Sequence, residues 1–166
     1  MRTAQRKASS ERLIVVEDGA WGLDSSLSVD ASDETVVVAQ GAGEDPVELP
    51  FRVMGRIALI ERAGRSIERA VVVMAPKLEP QSQAARALIA RTLHAHMRAR
   101  GPGELVLAAH GVQAELRLEL LTLVETLLSE HESSVIIRLR FHDDGSRLVT
   151  EGASKARPEV REAPYL

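Results

Sequence analysis

The chain has 166 residues, a formal charge of −3 and no cysteine. Disulfides, thiolate metal sites and a cysteine nucleophile are thereby excluded. Aromatic residues make up only 2% of the sequence, so a nucleic-acid surface built on base stacking is not expected, and the core must come from Val, Leu, Ile and Ala. The length suits one domain, expected over residues 12–152, between a disordered basic tail at 1–11 and a flexible tail at 153–166. No apolar run approaches the roughly 20 residues of a membrane span. The basic start "MRTAQRKASSER" is followed only by "LIVV", too short for a signal core, so a cytoplasmic protein is the expectation.

Charge is segregated along the chain. Residues 13–50 carry nine acids and no Lys or Arg, whereas residues 51–103 carry ten basic residues against three acids. Folding the acidic segment against the basic one would neutralise both within the molecule.

In chain order, "LIVV", "SLSVDA" and "TVVVAQ" read as short strands separated by the turn material "EDG", "ASDE" and "GAGEDP". Their close spacing favours antiparallel pairing. The word IERA then occurs twice, at 60–63 and 67–70, around Gly64-Arg65-Ser66. A hairpin centred on Arg65 would oppose Glu61 to Arg69, Arg62 to Glu68 and Ile60 to Ala70, a favourable set of cross-strand pairs. A helix through both copies would hold Gly64 in its interior and run into stiff valines. The hairpin is therefore favoured, with a short helix over 56–63 as the remaining option.

"RAVVVMA" at 69–75 and "ELVLAA" at 104–109 are unbroken apolar runs, the pattern of strands covered on both faces. Between them, Pro80 opens a helix over 80–103 that Gly101-Pro102-Gly103 stops. Its apolar stripe is Ala85, Leu88, Ile89, Thr92, Leu93, His96 and Met97. A second helix follows in 112–132, with Leu116, Leu120, Leu123, Val124, Leu127 and Leu128 on one face. In "SVIIRLRF", at 134–141, Val135, Ile137, Leu139 and Phe141 share one side and Arg138 and Arg140 the other, as in an edge or half-exposed strand. "SRLVTEG" adds a short strand. The expected fold is α/β of a mixed kind: antiparallel N-terminal strands and a hairpin continuing into a β-α-β-α-β unit, with a mixed sheet and two main helices.

Ligands of parallel sheets gather beyond the carboxyl ends of the strands, where helix N-termini also point. Lys77 and His110 sit there, and Gln113 and Arg117 follow on the next helix. These four are the candidate site for an anion or a phosphate-bearing small molecule, with His110 as the group able to act as acid or base. His94 and His96 point in different directions on a helix and cannot share a metal, so His96 is expected as a hydrogen-bonded core residue and His94 on the outer face. Arg91, His94 and Arg98 would form a short basic stripe there. His142, Asp143 and Asp144 before Gly145 read as a turn. "GAGEDP" lacks the Lys-Ser/Thr of a phosphate loop.

The element order, with "SVDAS" at 28–32 as an Asp-bearing strand, resembles the ribonuclease-H-like superfamily in outline. That resemblance implies a metal-dependent nuclease using Asp30. Neither "VVVMAPK" nor "LVLAAHG" ends in the further carboxylate such a site needs, so no metal and no cofactor are expected. The leading expectation is a small soluble, non-catalytic interaction or regulatory module, with a protein partner or a second copy as its ligand. The alternative is an anion-binding or hydrolase-like protein using Lys77, His110 and Arg117. Nucleic acid and membrane are not expected partners.

Overall fold

The computed structural model describes residues 10–20, 35–100, 103–110, 114–130, 134–143, 146–152 and 159–163, with side chains in 10–20, 35–100, 103–109, 114–130 and 134–141. The strands are β1 (Ser10–Val16), β2 (Thr35–Ala39), β3 (Ser66–Met74), β4 (Glu104–His110) and β5 (Ile136–Asp143). The helices are α1 (Glu48–Arg62), α2 (Pro80–Arg100) and α3 (Ala114–Glu130). The five strands form one sheet in the order β2-β1-β3-β4-β5, and every pairing among them is parallel. Beyond β5, the segments β6 (Ser146–Gly152) and β7 (Glu159–Ala163) extend the sheet as an antiparallel pair.

This overturns the expectation of antiparallel N-terminal strands, a hairpin and a mixed sheet with two main helices. Among the described residues, the core is a five-stranded parallel sheet with three helices. Residues 17–34 between β1 and β2 are long enough for a crossover, so closeness in sequence did not mean a tight turn. The ribonuclease-H-like outline rested on antiparallel strands and lapses with them; Asp30 lies outside the described residues.

The doubled IERA resolves into two different structures. The first copy ends α1 and the second lies in β3. Leu49, Val53, Ile57 and Ile60 recur at helical spacing and are buried, which drives α1 onto the sheet. Pro50 falls in the first turn, where its missing N–H has no partner to lose. At the other end Gly64 adopts φ 71°, its N–H bonds the Glu61 carbonyl at 3.0 Å, and the Arg65 N–H bonds the Ile60 carbonyl at 3.0 Å. That pair of bonds is a Schellman C-cap, which calls for glycine in the left-handed region. Gly64 thus stops a helix and does not turn a hairpin. Glu61 meets His96 and Arg100, Glu68 meets Arg12, and Arg69 meets Glu104, so none of the cross-strand pairs expected for a hairpin forms.

One face of the sheet carries the helices. Val15, Val72, Leu107 and Leu139 lie in register across four strands and are all buried there. They pack with Ile57, Ile89, Leu93, Leu120 and Leu127 from the three helices. Each such side chain contributes roughly 1.5–3 kcal/mol on burial. The other face holds Val16, Val71, Val73, Val106 and Ala108, also buried, so β3 and β4 are covered on both sides as their unbroken apolar runs require. Val135, Ile137, Leu139 and Phe141 share the buried side, while Arg138 and Arg140 are half-buried. β5 itself is an interior strand of the extended sheet, flanked by β4 and β6.

α2 packs against both α1 and α3, so more of its circumference is buried than one stripe. His94 is 3% exposed and Leu88 40%, the reverse of the expected facing. The outer basic stripe of Arg91, His94 and Arg98 therefore does not form. His96 is a hydrogen-bonded core residue: its Nε2 accepts the Ile67 N–H at 3.1 Å, which places the ring proton on Nδ1, 2.8 Å from a Glu61 carboxylate oxygen. This bond, with the charge of Arg100, holds the Glu61 carboxyl below its ordinary range against its partial desolvation. Among the described residues, no helix is long and apolar enough to cross a membrane.

Gly64→Ala forces a side chain into the left-handed region and is expected to cost about 1–2 kcal/mol, with Gly64→Asn costing less. Urea unfolding of the three proteins checks the order.

Candidate functional site

In this strand order the winding reverses between β1 and β3, and the carboxyl ends of those strands form the switch point where open parallel sheets bind ligands. The residues there come from three strand exits. β1 leaves through Glu17, Asp18 and Gly19, β2 through Gln40 and Gly41, and β3 through Ala75, Pro76 and Lys77. Gly19 has φ 89°, which lets the chain fold back so that the Ala20 N–H reaches the Glu17 carbonyl at 3.0 Å.

The centre of this edge is a buried ion triad. The Arg86 side chain, on the second turn of α2, is 1% exposed. Its Nε donates to one Glu17 oxygen at 2.6 Å, and its Nη2 donates to the other at 3.0 Å and to the Ala75 carbonyl at 2.9 Å. Its Nη1 reaches the two Glu119 oxygens at 3.1 and 3.3 Å. All five donors of the guanidinium are engaged. Glu17 also accepts the Ala75 N–H at 3.0 Å. The triad therefore ties β1, the exit of β3, α2 and α3 together at one point.

Two carboxylates share one cation, and the electrostatics follow from that. Burial raises the Glu119 carboxyl above its ordinary value, and the nearby Glu17 charge adds to the rise, while Arg86 opposes it. Arg86 is held firmly protonated: burial alone would lower its pKa, but the two carboxylates outweigh it.

A second, more exposed network lies beside the triad. The Asp18 N–H donates to the Gln40 side-chain oxygen at 3.0 Å, and Gln40 donates to the Glu44 carbonyl at 2.8 Å. The Asp18 carboxylate accepts the Gly43 N–H at 3.2 Å and lies 3.7 Å from the Lys77 ammonium. Glu44 accepts the Gly41 N–H at 2.6 Å and pairs with Arg52 of α1 at 2.6 and 2.7 Å. The GAGEDP segment is thus a hydrogen-bonded turn that joins β2 to α1.

Of the four expected site residues, Lys77 is at this edge and faces Asp18. The backbone of His110 ends β4 at the same edge, and Arg117 lies in the first turn of α3, half-buried. The His110 side chain and Gln113 lie outside the described residues, as do the side chains of His142 and Asp143 and the whole of Asp144. Among the described residues, no cluster of three or more His, Asp or Glu is placed to hold a metal ion. Sequence reasoning missed Glu17, Arg86 and Glu119. Their signal was present: Arg86 shares the helical arc of Ile89, Ala90 and Leu93, where a lone cation must find a buried partner.

Removing one member of a buried ion cluster leaves the others uncompensated. Arg86→Leu should lose about 3–5 kcal/mol of stability in urea unfolding. Glu119→Gln should stay within about 1 kcal/mol of the wild type, since a desolvated charge is removed and one acceptor is kept. The raised Glu119 pKa means the folded chain keeps a proton that the unfolded chain has already released. Stability attached to this group therefore falls as pH rises from the ordinary value of 4.5 through the raised one. The stability difference between Glu119→Gln and wild type should accordingly move in the variant's favour across that window. Comparison of the chain with protein-family models, curated proteins and solved structures finds no match.

Proposed function

We propose that this protein is a non-catalytic interaction or regulatory module built on a parallel α/β sheet. The observation that carries the reading is a contrast between two surfaces. At the carboxyl edge, Glu17, Arg86 and Glu119 are engaged with one another, and Asp18 faces Lys77. On α1, by contrast, Phe51 is 61% and Leu59 53% exposed, on the side of the helix turned away from the sheet. Large apolar groups gathered in solvent mark a surface that meets another molecule. The charges at the switch point stiffen the scaffold, and the chemistry of recognition falls to the α1 side.

The competing reading is an anion site formed by Lys77, His110, Gln113 and Arg117. A thermal-shift screen with nucleotides, phosphorylated metabolites and inorganic phosphate separates the two. The module reading expects no ligand-dependent rise in Tm. A ligand at one hundred times its Kd would stabilise a true site by about 2.7 kcal/mol. A rise of that order in the wild type, lost in both Lys77→Ala and Arg117→Ala, would establish the anion site and overturn the module.

A further inference from the structure

We infer that the exposed face of α1 is the two-fold interface of a homodimer, in which α1 of one copy crosses α1 of the other antiparallel at Gly55. The inference deepens the module reading and rests on it. It commits the partner to a second copy of this chain.

On a helix advancing about 100° per residue, Glu48, Phe51, Gly55, Leu59 and Arg62 all fall within about 40° of one line. All five are exposed. The buried side of the helix is formed by Leu49, Val53, Ile57 and Ile60, so this line points away from the sheet. The line is also balanced about its centre. Phe51 and Leu59 each lie one step of four from Gly55, and Glu48 and Arg62 each lie seven residues from it. In an antiparallel crossing on a two-fold axis, the residue k positions before the crossing point meets the residue k positions after it in the partner. Phe51 therefore meets Leu59 of the other copy, and Glu48 meets Arg62. Both pairs occur twice, and both match in kind: apolar with apolar, acid with base. Parallel crossing would set Glu48 against Glu48 and Arg62 against Arg62.

Gly55 sits where the two backbones come closest. A Cβ built there meets nothing within 4 Å, so packing within the chain gives no account of a glycine in mid-helix, where it costs about 1 kcal/mol relative to Ala. A close crossing does, since i±4 ridges interdigitate most deeply where one residue lacks a side chain.

The chain has no cysteine, which allows a clean cross-linking test. Gly55→Cys should form a disulfide-linked dimer under mild oxidation, because residue 55 faces itself across the axis. Leu118→Cys, 66% exposed on α3, should not. In sedimentation equilibrium the wild type should associate reversibly, and Phe51→Glu should weaken it at least about tenfold. Glu48→Arg and Arg62→Glu should each weaken it, and the double exchange should restore affinity to within about threefold of wild type. Circular dichroism checks that the variants fold. A chain that stays monomeric, or a dimer indifferent to Phe51→Glu and not rescued by the charge exchange, overturns the interface. That result, with the ligand screen silent, removes the dimer alone, whereas a ligand shift lost in Lys77→Ala removes the module reading beneath it.

Discussion

The guanidinium of Arg86 is the group on which the rest of the arrangement depends. It is almost fully buried, and its donors end on three different elements: Glu17 after β1, the Ala75 carbonyl after β3, and Glu119 on α3. An isolated ion in that position would cost far more than the fold could absorb. The contacts are therefore conditions for burying α2 at all, and they fix where α2 and α3 sit on the sheet. They also give the carboxyl edge its character. In related architectures helix N-termini and strand exits leave an electrostatic demand that a bound ligand meets. Here side chains of the protein meet one another at that place.

The same logic organises the opposite edge. Glu11, with its side chain 4% exposed, lies 3.1 Å from Arg65 and 3.5 Å from Arg56. Glu104 bridges Arg69 on β3 and Arg138 on β5 at 2.6 and 2.7 Å. Charges segregated along the sequence thus interleave in space: Glu17 with Arg86, Asp18 with Lys77, Glu44 with Arg52. The acidic segment and the basic one are complementary parts of one molecule. Exposed members such as Arg52 and Glu44 add little to stability, while buried ones set geometry.

Several elements could be read directly from the residues. The unbroken runs of β3 and β4, the alternation of β5 and the bounds of α2 and α3 follow from periodicity and from Pro80 and the Gly-Pro-Gly stop. Sheet direction could not be read, because nothing in "LIVV" or "TVVVA" distinguishes a parallel from an antiparallel partner; that depends on residues 17–34. The hairpin misreading has a local cause. Glu61, Arg62, Glu68 and Arg69 match charges across Gly64, but a Schellman glycine and a turn glycine look alike in sequence. Of the site, Lys77 and His110 were placed at the correct edge by strand exits. The ion triad was not found, because its members lie 69 and 33 residues apart and pairing at that range leaves no local pattern. His94 was misplaced because a helix between two others has no solvent side of ordinary width.

The helix hidden from pattern reading is also the one that carries the exposed apolar face, and the two facts have one origin. Leu49, Phe51 and Val53 alternate as in a strand, and so do Ile57 and Leu59. The alternation arises because α1 holds apolar residues on two sides, one turned to the sheet and one to solvent. A helix with a single job would place polar residues at 51 and 59 and show a clean period of 3.6. Sequences usually agree with their folds at every level except where a site imposes another requirement. In α1 the departure comprises two large apolar side chains and a mid-helix glycine, spaced four apart on the same line. Packing within the chain gives no account of them there, and the dimer proposed above does.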